Sequence, residues 1–315
     1  TSRLLFTLIC KHSKNKMKNL PFTKYSRNGK PVACPICGSA KRTIISKYDR
    51  RFKILPHAKC SECALVRHEF MLSDEELADY YSNSYRKDYQ RVSSGPTSKH
   101  IRKRHAEAKS RLAKLEPYQL RNSHLLDFGC GSGEFVELTQ NEGAISRGFE
   151  PGHLYASYAK EQKALDVANC GWENYECKEK MDIITSFHVF EHLTQPIKAF
   201  EKAVSWLKED GLIYIEVPNL ANSLSLKGFG SLHMAHTLGF GRYSLELLGA
   251  YNGMKPVKVF DDFDIGIIFK KGQPRPLEEI KKNSLDEFED LDLKRVNKQF
   301  WLYSSAKLFG KRSKL

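Results

Sequence analysis

Between residues 117 and 271 the apolar positions follow two alternating rhythms. Short runs of β-branched and large apolar residues at 125–128, 145–149, 165–168, 181–186 and 212–217 predict strands. Between them, apolar residues recur every three or four positions. This predicts helices after Gly133 (Phe135, Val136, Leu138), over 154–162, and over 196–208 with Ile197, Phe200, Val204 and Leu207 on one stripe. Asn141-Glu142-Gly143 and Gly211 supply helix stops. Strand alternating with helix is the pattern of a parallel sheet covered on both faces, an α/β domain. A helix over 244–250 and a strand pair at 257–260 and 265–269 close it.

The flanks read differently. Residues 1–31 lack periodicity and are expected to be a flexible extension, with those before Met17 an added segment. Leu4-Leu5-Phe6-Thr7-Leu8-Ile9-Cys10 is apolar but brief, and no small-residue cleavage site follows, so no secretory signal is expected. Residues 73–116 read as a helical linker or cap. Ser73-x-x-Glu76 is a capping box leading into Leu77, Tyr80 and Tyr81, Ser93-Ser94-Gly95-Pro96 breaks the chain, and a basic helix over 98–115 ends before Pro117. Residues 272–315 read as a basic C-terminal tail with one aromatic cluster, Phe300-Trp301-Leu302-Tyr303.

Composition narrows the functional classes. The 315 residues suffice for one large α/β domain plus a small appendage. No apolar run approaches the roughly 20 residues of a membrane span. The formal charge of +14, from 51 Lys and Arg against 37 Asp and Glu, favours anionic partners: phosphorylated substrates, nucleic acid or an anionic lipid surface. Four of the eight cysteines fall in two C-x-x-C turns, Cys34-Pro35-Ile36-Cys37 and Cys60-Ser61-Glu62-Cys63, separated by 22 residues. Each turn can present two thiolates to one Zn²⁺, and two turns complete a tetrahedron with no open position. Residues 32–72 are therefore read as a zinc ribbon whose metal is structural, in a reducing and so cytoplasmic setting. His57 and His68 are expected at its surface rather than as ligands.

The chemistry concentrates where the strand at 125–128 ends. Asp127-Phe128-Gly129-Cys130-Gly131-Ser132-Gly133-Glu134 places an acid and three alternate glycines between strand and helix, so backbone N–H groups can face a ligand. The dinucleotide spacing G-x-G-x-x-G fails, because Glu134 stands where the third glycine would be. Glu150-Pro151 follows the next strand, Glu150 lying 23 residues after Asp127, placed to accept ribose hydroxyls at the carboxyl ends of the strands.

The D-x-G-x-G-x-G pattern resembles motif I of the class I methyltransferases that use S-adenosylmethionine. Ser186-Phe187-His188-Val189-Phe190-Glu191-His192-Leu193 resembles the segment after their fourth strand. Ile215-Glu216-Val217-Pro218-Asn219, His233-x-x-His236 and Tyr243-Ser244-Leu245 extend the likeness to roughly 32–270. With its ribbon, the chain resembles sugar and small-molecule methyltransferases, in which a tyrosine of the 80–89 kind reaches the active site. The resemblance implies a Rossmann-like seven-stranded class I methyltransferase fold with a small N-terminal zinc ribbon. It implies cofactor contacts from Asp127, Gly129, Cys130, Gly131, Gly133, Glu150, Pro151, Trp172, Phe187 and His188. It also implies a catalytic histidine, His192 first and His236 or His233 after it, because imidazole titrates near neutral pH. Asn-Pro-Pro-Tyr, which base N-methylating enzymes use, is absent after the fourth strand. The later region also lacks the Glu-His pair of sugar C-methyltransferases. O-methylation of a saccharide or other small hydroxyl-bearing metabolite, free or nucleotide- or lipid-linked, is the leading expectation, and the basic ends could then touch an anionic membrane surface. The competing readings are an RNA methyltransferase gripping RNA through ribbon and basic helix, a non-catalytic cofactor-binding scaffold, and an NAD dehydrogenase.

Overall fold

The computed structural model describes residues 22–25, 29–73, 76, 77, 80 and 95–308. The expectations for 1–21, for Tyr81 and the tyrosines after it, and for Ser93-Ser94 lie outside the described residues. The ribbon opens with β1 (Lys30–Pro31), paired antiparallel to β5 (Phe70–Met71), and its body is β2 (Arg42–Tyr48), β3 (Ile54–Cys60) and β4 (Val66–His68). Register sets His57 opposite His68. Both are 2% exposed or less, and their rings meet edge to face at 5.0 Å. This corrects the expectation of surface histidines. A short strand read by itself does not reveal that its second face is covered, here by the 233–237 segment.

Helix α1 (Ser98–Ala113) is capped by Thr97, whose side chain accepts from the His100 N–H. The main domain then runs β6 (His124–Phe128), α2 (Glu134–Asn141), β7 (Ile145–Phe149), α3 (His153–Ser157), β8 (Val167–Ala168), β9 (Met181–Phe187), α4 (Pro196–Trp206) and β10 (Leu207–Pro218). After α5 (Leu220–Lys227) and β11 (Leu238–Gly239) come α6 (Arg242–Ala250), β12 (Met254–Asp261) and β13 (Asp264–Lys271). The seven-stranded sheet has the order β12-β13-β10-β9-β6-β7-β8. β8, β7, β6, β9 and β10 are parallel, while β13 is antiparallel to both neighbours. Strand order reverses between β6 and β9, and there a ligand crevice forms.

Local departures have local causes. Helix α4 ends at Trp206 because Leu207 turns extended and pairs with Met181, and β10 resumes the ladder at Leu212 after an irregularity. The helical path over 154–162 is α-helical only to Ser157 and continues as a π-turn, Tyr158–Gln162. Residues 277–308 form α7 (Leu277–Glu287) and α8 (Leu293–Leu308). Their Phe288, Leu291, Val296 and Phe300 join ribbon residues Ile45, Ala64 and Val66 in a second core, beside Leu220, Leu224, Phe229 and Leu232. β11 crosses from the main domain to pair with β4, Leu238 opposite Arg67, so the ribbon sheet reads β11-β4-β3-β2.

Candidate active site

The turn after β6 builds one side of the site. Gly129, Gly131 and Gly133 all have positive φ (+78°, +56° and +80°), a region costly for other residues. A Cβ on Gly129 would lie 2.5 Å from Val189 and one on Gly133 2.5 Å from Leu165, whereas one on Gly131 would meet nothing within 4 Å. The outer two glycines permit tight packing, and the middle one faces open space. Glu134, in the position of the missing third glycine, is buried. It accepts from Ser132 Oγ at 2.8 Å and lies 3.6 Å from Lys163 Nζ, in the helix turn where an acid is favoured.

A cavity of about 1120 Å³ opens over the carboxyl ends of β6, β7, β9 and β10, and ribbon residues Arg50, His57, Val66 and Arg67 form part of its wall. Asp127 is buried beneath it and accepts from Thr185 Oγ1 at 2.8 Å. Burial pushes its carboxyl up to about 7 despite that bond, so a cation placed beside it would be strongly favoured. Glu150 is fixed by two backbone donors, Gly131 N at 3.2 Å and Gly152 N at 2.8 Å. Pro151, Trp172 and Phe187 line the same cavity. Cys130 lines it too, but its side chain belongs to the cluster of Val136, Ala156, Ala159, Leu165 and Val167. A buried acid at one strand end and a half-buried one at the next, with an open glycine between, suit a ligand carrying a cationic group and a diol.

The opposite wall comes from two segments. After β9, His188 takes φ +58° and its N–H donates to Glu216 O at 2.8 Å. Its ring lies between Glu191 Oε1 (3.4 Å from Nδ1) and Asp264 Oδ2 (3.4 Å from Nε2). Burial pulls this imidazole down, but the two carboxylates outweigh it and carry it up to about 9. His192 donates from Nδ1 to Ala235 O at 2.6 Å, which leaves Nε2 as the acceptor nitrogen. The 233–236 turn brings His236 to 5.0 Å from His192, ring to ring, with His233 3.9 Å behind His236. Burial and neighbouring cationic groups hold His233 and His236 well below the usual histidine range. All ten residues expected at the cofactor and the three expected at the base, except Gly133 beneath the turn, line this one cavity.

The four ribbon cysteines converge as well. Their sulfurs lie within 4.8 Å of one another, Cys34 to Cys63 and Cys37 to Cys60 both at 3.5 Å. The edge of a tetrahedral zinc tetrathiolate, from Zn–S of about 2.3 Å, is about 3.8 Å, so the cluster is compatible with zinc.

The family described as a methyltransferase domain matches residues 100–249. Those residues are a methyltransferase domain. Ubiquinone biosynthesis O-methyltransferase of Coxiella burnetii is 28% identical over 112 residues, 32% of this chain and 45% of that protein. The protein of that name from Glaesserella parasuis is 28% identical over 134 residues, 39% of this chain and 57% of its own length. The chain thus spans about half of these curated relatives. Magnesium protoporphyrin IX methyltransferase from Synechocystis, solved with bound SAH, superposes with a TM-score of 0.50 at 14% identity, covering 64% of this chain and all of that one. The shared fold is that of the class I methyltransferases.

Within the methyltransferase domain, sequence reading passed over Glu191 and Thr185, and beyond it Arg50 and Asp264, and it set His57 at the surface. The first two lie inside or beside quoted motifs. The others reach the cavity only through strand register and ribbon docking, which no spacing reveals.

Proposed function

We propose that the protein is an S-adenosylmethionine-dependent methyltransferase that O-methylates a saccharide or other small hydroxyl-bearing metabolite, with a structural zinc in its ribbon, working in the cytoplasm. The observation that carries this reading is the pairing of buried Asp127 with backbone-fixed Glu150 across an open glycine turn, in one cavity with a histidine wall. The two matched relatives bear the name O-methyltransferase.

Bound S-adenosylmethionine would supply a methyl group on a cationic sulfur. Asp127 would receive the ammonium of its methionine portion, Glu150 the ribose hydroxyls, and the turn's N–H groups the carboxylate. His192 Nε2, or its neighbours His236 and His233, would take the acceptor's hydroxyl proton as that oxygen bonds the methyl carbon and the carbon–sulfur pair withdraws to sulfur. Holding both reactants in one cavity can contribute about 7–11 kcal/mol in favourable cases. A small acceptor is favoured over RNA because the matched relatives are named for the biosynthesis of a small molecule, ubiquinone. Calorimetric titration with S-adenosylhomocysteine, with NAD as control, tests the reading. Binding of the former alone is expected; no binding by folded, zinc-loaded protein would overturn it.

A further inference from the structure

We propose that Glu191, His192 and His236 form a second metal site, for a divalent first-row cation, at the acceptor end of the cavity. The starting observation is Glu191, 1% exposed, whose Oε1 lies 3.4 Å from His188 Nδ1 while Oε2 receives no hydrogen bond among the described residues. One long ion pair leaves the second oxygen of this buried carboxylate without a donor, a cost that a further cation would offset. Around its Oε1 lie His192 Nε2 at 3.7 Å and His236 Nε2 at 4.0 Å, and the three ligand atoms lie within 4.8 Å of one another. Metal–ligand bonds of about 2.0–2.2 Å require ligand atoms roughly 3.0–3.6 Å apart, so the three side chains would have to draw together on binding, by up to about an ångström.

The outer contacts suit ligation. His192 gives its Nδ1 proton to Ala235 O, which fixes the ring and turns the Nε2 lone pair towards Glu191. Thr237 Oγ1 donates to Glu191 O at 3.1 Å, so the 190–192 turn and the 233–237 segment are already tied before a cation joins them. Two imidazoles and one carboxylate leave positions open towards the cavity, the arrangement of a reactive rather than a structural site. His188 Nδ1 also approaches Glu191 Oε1, at 3.4 Å, but its other nitrogen faces Asp264, so it flanks the site. A second cluster, His188, Glu216 and Asp264, is unsuited because Glu216 is engaged by Arg111 and Lys114.

The site deepens the methyltransferase reading and rests on it only for its consequence. Open positions on a cation select acceptors with two adjacent oxygens, a vicinal diol or an α-hydroxy acid. They also lower the pKa of the coordinated hydroxyl, whose proton then leaves to solvent, in place of abstraction by His192.

The test is a Co²⁺ titration of zinc-loaded protein, followed by visible absorption and elemental analysis, with S-adenosylhomocysteine calorimetry alongside. Wild type is expected to take up one Co²⁺ beyond the ribbon zinc, giving weak d–d bands without thiolate charge transfer. His236→Ala is expected to weaken that uptake at least tenfold, and His236→Asp, which restores a ligand, to recover much of it. S-adenosylhomocysteine binding should survive both substitutions. Wild type holding the ribbon zinc alone, or His236→Ala binding Co²⁺ as wild type does, overturns the site. If either occurs while S-adenosylhomocysteine still binds, the metal proposal fails and the methyltransferase reading stands. Co²⁺ uptake lost in His236→Ala, in protein that never binds S-adenosylhomocysteine, supports the site and removes that reading instead.

Discussion

Asp127 is the residue whose protonation is expected to couple to binding of the proposed cofactor. Burial raises its carboxyl to about 7 in the free protein. A ligand ammonium beside it stabilises the carboxylate, so binding favours the deprotonated form. Affinity for S-adenosylmethionine should therefore be full above pH 7 and fall as pH drops through it, by up to about tenfold per unit. Calorimetry from pH 5.5 to 8 in two buffers should show proton release near pH 6.5 in wild type and none in Asp127→Asn. At the opposite wall, His192→Ala is expected to lower kcat/KM by roughly 10²–10⁴, read in a methyl-transfer assay. The Asp127 turn could be read from sequence because its chemistry lies within one octapeptide. Glu191 was written in the same motif as His192, but the meaning of an acid depends on its surroundings. Only the structure reveals that its oxygens are buried among imidazoles.

At the scale of elements, α1 is tied to the sheet by an ionic contact. Arg111 Nε lies 2.7 Å and Lys114 Nζ 3.0 Å from Glu216 on β10, and Tyr214 Oη donates to the same carboxylate at 3.0 Å. Arg111 and Glu216 are both buried, and removing Arg111 leaves the carboxylate to Lys114 and Tyr214 alone. Arg111→Ala should cost about 1.5–3 kcal/mol in urea unfolding. Burial alone would raise the Glu216 carboxyl, yet Arg111 and Lys114 hold it below the usual range. Its contribution is therefore present above the unfolded carboxyl pKa and disappears as pH falls through the depressed value. The wild-type advantage over Arg111→Ala should accordingly shrink in acid. Most strands and helices of the main domain were legible because each follows from a run of neighbouring residues; α5 and β11 were not. The docking of α7 and α8 was not, since their apolar positions (Phe288, Leu291, Val296, Phe300) are sparse among charges and make sense only against the ribbon.

Across the whole molecule, ribbon and methyltransferase domain share walls and cores. Cys34, Cys60 and Cys63 are buried in one cluster with Phe128, Phe149 and Ile280, and β11 extends the ribbon sheet from the chain that carries His233 and His236. Metal loss at the cysteines should therefore reach the acceptor wall. Stripping zinc with a strong chelator is expected to lower the Tm and abolish methyl transfer, while S-adenosylhomocysteine affinity, set mainly by β6 and β7, falls less. Thermal scans and calorimetry on the same stripped sample would check this, and equal loss of both would show that the domain melts as one piece.

The contact between the ribbon and α7 also bears on how the chain is made. Lys59 Nζ donates to Phe288 O across 229 residues, and Ser284 Oγ to Cys63 O across 221. A ribosome therefore releases the cysteine module long before it releases the helices that cover it. Until residues near 288 emerge, the apolar underside of the nascent ribbon stays in water, and aggregation competes with docking. Translation speed and chaperone supply, more than the stability of the finished protein, would then govern how much of it accumulates.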